Sequence, residues 1–184
     1  LAGNSSSVLR AAAAHVLGAR QVSDAGDALL ATAKASEDLL RAEAGYALAR
    51  IGVEEGAALL RTCLDRPVQA YLGGPVAAGF LARLGDPRGF AVVQDALSQE
   101  NLIVRVVGAK QLLFFVPFDG QQAAGGGAID VYAEFERALH DEHRDVAWLA
   151  VLQLREVQDP RAEALLERVR RTTGDDQLRR LAGS

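Results

Sequence analysis

The feature that most constrains this chain is a repeat. Ala47-Leu48-Ala49-Arg50-Ile51-Gly52 returns as Phe80-Leu81-Ala82-Arg83-Leu84-Gly85, 33 residues later. Arg10-Ala11-Ala12-Ala13-Ala14 aligns with Arg41-Ala42-Glu43-Ala44-Gly45 at an offset of 31, and Arg105-Val106-Val107-Gly108-Ala109 lies 64 residues after Arg41. Leu154 to Arg161 repeats the pattern of residues 81–88 at an offset of 73, which is two periods of about 31 plus 11 extra residues. A period of this length means a supersecondary unit that cannot bury its apolar face alone and must stack on its neighbours. The extra residues fall in the stretch 117–128, where Gly125-Gly126-Gly127 and two Gln predict a loop insertion between the paired helices of the fourth repeat.

Each period divides into two helices. First helices are predicted near 5–18, 37–51, 69–84, 101–116 and 143–157, and second helices near 25–35, 54–65, 87–98, 129–140 and 160–172, with a short terminal helix at 175–182. Second helices share a spacing of apolar residues at i, i+1, i+4 and i+5, as in Leu59-Leu60-Arg61-Thr62-Cys63-Leu64 and Val92-Val93-Gln94-Asp95-Ala96-Leu97, which turns one stripe toward neighbouring helices. Asp86-Pro87 and Asp159-Pro160 place a capping acid before a proline at the first helical position. Composition agrees: 49% of residues are apolar but only 5% aromatic, and Ala and Leu, the strongest helix formers, dominate. Gly45, Gly79 and Gly108, at similar places in successive first helices, predict close helix contacts. Gly73-Gly74-Pro75 predicts a bend or interruption in the third.

Helix pairs of about 31 residues with the Leu84-Gly85-Asp86-Pro87-Arg88 turn resemble HEAT-like repeats, especially the short variety of phycobilisome lyases. The resemblance covers nearly the whole chain. It implies an all-α fold, an α-solenoid (right-handed superhelix) of about five HEAT-like helix pairs, with residues 1–184 as a single repeat domain. It also implies a concave surface lined by the second helices.

The apolar content excludes a disordered chain. A net charge of −4 argues against a nucleic-acid binder, whose phosphate contacts need a basic surface. Cys63 is the only cysteine, so an intrachain disulfide is excluded. No apolar run approaches the length that crosses a bilayer. With no signal pattern, a cytoplasmic location is expected, although a sequence that starts at Leu1 and lacks Met leaves a removed leader open.

The expected function is a non-catalytic scaffold or adaptor binding a protein or peptide on the concave face, as a monomer or hetero-complex, with no cofactor. Arg61 and Thr62, Gln94 and Asp95, Glu136 and Arg137, and Glu167 and Arg168 form two neighbouring columns of mixed sign on the second helices, which suits a partner of complementary charge. Phe118 and Tyr132 flank the insertion and join the candidate partner-binding residues, whereas Phe114, Phe115, Tyr46 and Trp148 read as core. His140 and His143, at i and i+3 around two acids, are a weak metal candidate at a turn. Cys63 stands where other repeats carry Ala96 and Ala138, as a small buried residue rather than a nucleophile. The alternatives are a lyase-type subunit acting on a chromophore or modified protein, which the resemblance implies, and a HEAT-like DNA glycosylase, against which the acidic balance counts.

Overall fold

The computed structural model describes residues 7–36, 38–68, 72–123 and 126–183. These are α-helical with short connections: α1 Ser7–Ala19, α2 Gly26–Ala35, α3 Asp38–Arg50, α4 Glu55–Leu64, α5 Gly73–Arg83, α6 Phe90–Leu97, α7 Leu102–Ala109, α8 Leu112–Phe115, α9 Val131–Leu139, α10 Arg144–Arg155, α11 Pro160–Thr172 and α12 Asp176–Gly183. Among the described residues the predicted helices follow in the predicted order, except that 101–116 is interrupted. The predicted helix starts at 5, 37 and 69 lie outside the described residues.

Turn chemistry sets these boundaries. After α3 and α5 the chain closes with the same bonds: Gly52 N donates to Ala49 O and Val53 N to Leu48 O, then Gly85 N to Ala82 O and Asp86 N to Leu81 O. Gly52 and Gly85 take φ of +84° and +87°, a left-handed conformation that glycine adopts without a Cβ penalty. Asp86 and Asp159 then cap as predicted, accepting from Arg88 N at 3.2 Å and Arg161 N at 2.8 Å. Each aspartate also holds the guanidinium two residues on in a two-pronged pair, Arg88 at 2.8 and 2.6 Å and Arg161 at 3.2 and 3.0 Å. Gly73-Gly74-Pro75 opens α5 instead of bending it, since proline in the first turn forfeits no helical bond.

The chain comprises two compact units, residues 1–92 and 93–184, divided within α6. In the first, α1 packs on α3 around Ala14, Leu29, Ala33, Ala44, Ala47 and Leu48. A second cluster joins Tyr46, Leu60, Phe80 and Leu81 with Cys63, which is 1% exposed; Tyr46 and Phe80 stack with centroids 4.2 Å apart. A Cβ on Gly18 would fall 2.6 Å from Ala47 Cα, on Gly56 2.6 Å from Gly45 O, and on Gly89 2.6 Å from Ala78 Cα. The tightest approaches therefore use glycines at the end of α1 and where the second helices begin. Gly45 and Gly108 contribute looser contacts, at 3.3 Å from Gly56 O and 2.9 Å from Ala96 Cβ.

In the second unit the predicted single helix 101–116 breaks between α7 and α8. Gln153, from α10, seals the break: its Nε2 donates to Ala109 O at 2.8 Å and its Oε1 accepts from Leu113 N at 2.9 Å. The described residues of the insertion, 117–123 and 126–128, carry backbone bonds that its composition does not announce. Gly120 N donates to Ile129 O and Ile129 N to Gln121 O, both at 2.8 Å, and Gln122 bridges Ala128 in antiparallel register. Ile129 is fully buried at its base, as is Phe115. Phe114 and Phe118 are half-buried, so Phe114 is less a core residue than predicted. Trp148 is also half-buried, with Arg144 lying 5.1 Å over its ring.

Arg41 and Arg105, equivalent by the repeat, do the same structural work. Arg41 Nε donates to Ser36 O at 2.8 Å beyond the end of α2, and Arg105 Nη1 to Gln99 O at 3.0 Å and Glu100 O at 2.8 Å beyond the end of α6. Arg105, only 7% exposed, also pairs with Asp141 at 2.9 Å and Glu142 at 3.1 Å. This fastens the 140–143 turn.

Candidate functional site

The second helices of the second unit are tied by a polar ladder. Gln94 on α6 donates to Glu134 on α9 at 2.8 Å. Arg137 on α9 pairs with Glu134 at 3.4 Å and donates back to Ser98, just past α6, at 2.6 Å. Glu136 on α9 pairs with Arg168 on α11. Of the predicted columns, Glu136 and Arg168 meet directly, and Gln94 and Arg137 are joined through Glu134. Asp95 bonds Gln99 one turn on, and Glu167 pairs with Arg170 and Arg171 on its own helix. Arg61 and Thr62 belong to the first unit. There Arg61 pairs with Asp86 at 3.2 Å beside a cleft of about 350 Å³, and the Thr62 hydroxyl donates to Leu59 O.

Between α9 and α11 lies a groove of about 310 Å³ lined by Asp130, Tyr132, Ala133, Glu136, Arg161, Ala164, Leu165 and Arg168. Its width comes from Ala133 and Ala164, both exposed and facing across the two helices. Leu165 and Arg168 also line an adjoining cavity of about 270 Å³, walled by Leu139, Val169 and Leu178. The groove therefore has an apolar floor and a rim of two acids and two arginines.

Tyr132, predicted as a contact residue, is only 7% exposed. Arg161 covers its ring at 4.1 Å and reaches Asp119 of the insertion at 2.5 Å. Asp119 also accepts from Val131 N at 2.8 Å, so one carboxylate holds both the start of α9 and the turn before α11. Burial pushes the Tyr132 hydroxyl up to about 12, and the Asp159 and Asp119 carboxylates push the same way against Arg161. That hydroxyl is secluded, near Asp159 without meeting hydrogen-bond geometry. The Arg161 fork holds the Asp159 carboxyl down to about 2 and raises the Arg161 guanidinium in turn.

His140 and His143 belong to different helix ends. His140 Nδ1 donates to Glu136 O at 2.7 Å, and His143 accepts from Asp145 N as the cap of α10. Among the described residues no group of three His, Cys, Asp or Glu side chains is placed to hold a metal ion, and no helix is long and apolar enough to cross a membrane. Glu134, Ser98, Asp119 and Arg161 are the site residues that sequence reading missed. For Arg161 the signal was present, in the repeated Asp-Pro-Arg turn.

Residues 1–72 match the family model for HEAT repeats. That stretch is a run of HEAT-like repeats. The matched part carries α1 to α4; beyond it, Asp-Pro-Arg turns stand at 86–88 and 159–161, and Arg105 takes the place that Arg41 has within it. No curated protein matches the chain.

Proposed function

We propose that this helical repeat protein is a non-catalytic binding module that holds an extended segment of a protein partner in the groove between α9 and α11. The observation that supports this reading is the groove's construction. Ala133 and Ala164 leave room for inserted side chains, Leu165 supplies an apolar floor, and Asp130, Glu136, Arg161 and Arg168 offer both charge signs along its edges. A lining of this kind fits a mixed-charge peptide better than a uniformly anionic nucleic-acid backbone.

The test is a comparative pull-down from native extract. Ala164→Trp fills the groove from an exposed position and Arg168→Glu inverts its rim. Both are expected to lose the partners that the unaltered protein retains, while Ile103→Glu, on an exposed first-helix position, retains them. Equal retention by all four proteins overturns the reading.

A further inference from the structure

The cavity that adjoins the groove differs from it in construction. Its floor is Leu165, Val169 and Leu178, from α11 and α12, which are 6, 7 and 6% exposed. Its mouth is His140, Arg168 and Thr172, all exposed. At about 270 Å³ it falls just under the roughly 300–1,000 Å³ of pockets for drug-sized ligands, so it has room for one side chain rather than for a cofactor. It joins the groove at Leu165 and Arg168, which line both.

The polar atoms around it specify what that side chain carries. His140 Nδ1 donates to Glu136 O at 2.7 Å, so in the neutral ring Nε2 is an acceptor, and it has no partner among the described residues. Thr173 Oγ1 accepts from Asp175 N at 3.1 Å, which leaves its hydroxyl proton to donate. Thr172, by contrast, uses its proton on Arg168 O. An apolar cavity with a free acceptor and a free donor fits a side chain with an apolar body and a hydroxyl tip. Arg168 selects the body. Its guanidinium pairs with Glu136 where cavity and groove meet. Elsewhere in the chain Arg83, Arg144 and Arg161 each cover an aromatic ring, at 4.8, 5.1 and 4.1 Å. A ring entering beside Arg168 gains the same kind of contact.

We propose that the cavity receives a tyrosine side chain of the segment that the groove holds. This rests on the groove reading and deepens it: the groove takes the mixed-charge segment, and the cavity takes the one residue that anchors it. Binding energy concentrates on such buried anchors, and tyrosine is among the commonest of them. The ring packs on Val169 and Leu178, and the hydroxyl donates to His140 Nε2. Phenylalanine fills the same space but leaves that nitrogen unmet, and leucine forfeits the guanidinium as well.

N-acetyl-tyrosinamide and N-acetyl-phenylalaninamide, titrated into the full chain and followed by the methyl signals of Val169 and Leu178, test the cavity without any partner segment. The expected result is saturable binding of the tyrosine amide with a Kd on the order of 1 mM. It is expected to bind at least about threefold tighter than the phenylalanine amide, the contribution of one hydrogen bond. His140→Leu is expected to abolish that preference. Thr172→Trp, which fills the mouth from an exposed position, is expected to weaken both amides by at least about tenfold. Circular dichroism confirms that both variants stay folded. A library of random peptides selected on the full chain then reads groove and cavity together. Bound peptides are expected to share a tyrosine and to be lost from both Ala164→Trp and Thr172→Trp. Peptides lost from Ala164→Trp but indifferent to Thr172→Trp would overturn the inference and keep the groove. Peptides indifferent to Ala164→Trp, beside amides that bind as expected, would sink the groove and keep the cavity's ligand. No binding of the tyrosine amide, equal affinity for the two amides, or a preference that survives His140→Leu would each overturn the inference.

Discussion

Replacing Arg105 by Met removes the charge and donors of a side chain that is 8% exposed while keeping much of its length. Four groups lose a partner: the carbonyls of Gln99 and Glu100 and the carboxylates of Asp141 and Glu142. Glu142 is 85% exposed and rehydrates, so it contributes little. Asp141 is 11% exposed and keeps only the His143 N–H, at 2.8 Å, among its strong contacts. Breaking one side of a buried pair costs about 3–5 kcal/mol, and the remaining Asp141 contact places the expected loss near the lower end, at about 3 kcal/mol. For a chain of this size that is a fall in Tm of roughly 6–12 °C. Thermal and urea unfolding followed by circular dichroism measure it, with Arg137→Met as the comparison. Arg137 is 44% exposed and is expected to lose no more than about 1 kcal/mol. A cycle with Asp141→Asn isolates the pair. If Arg105→Met costs no more than Arg137→Met, the account of this arginine as the fastening of the turn is wrong.

Gly89→Ala forces a Cβ into the backbone of Ala78 and is expected to destabilise by about 1–3 kcal/mol in urea titrations. Gly174→Ala meets nothing within 4 Å and is expected to be neutral or slightly stabilising. Ile129→Ala, at a fully buried position, is expected to cost about 2–5 kcal/mol, which distinguishes an anchored insertion from a freely tolerated one. The Asp159 carboxyl, at about 2 in the folded chain against an ordinary 3.8, stabilises the fold above the upper value. That contribution is lost as pH falls through this window. Asp159→Asn is therefore expected to flatten acid unfolding there while losing stability at neutral pH; an unchanged acid limb refutes the pairing.

The elements that sequence reading located are those whose causes are local. The turn at Leu84–Arg88 contains its own left-handed glycine, capping acid and helix-starting proline within five residues, so its geometry follows from chemistry that the chain carries in one place. The columns on the second helices followed from helical periodicity, and two of their residues, Glu136 and Arg168, meet directly, while Gln94 and Arg137 are joined through Glu134. What escaped depends on distant residues. Nothing near 110 announces that α7 and α8 separate there, because the group that stabilises the break is 40 or more positions away. Tyr132 joined the contact candidates because it flanks the insertion, and that position does not announce the Arg161 guanidinium over its ring or the Asp119 carboxylate that holds it there. The tight glycines followed a different rule from the one expected. Aligning first helices found Gly45 and Gly108, but the closest approaches need a glycine wherever a helix end abuts its neighbour's backbone.

The Gln153 clasp also bears on the order in which the chain is made. A ribosome releases α7 and α8 before α10 exists, so the Ala109 carbonyl and the Leu113 amide wait for a side chain synthesised 40 residues later. Those two groups are four residues apart, so until then an uninterrupted helix pairs them with each other. The fourth helix pair thus acquires its broken form only when the fifth arrives to supply Gln153.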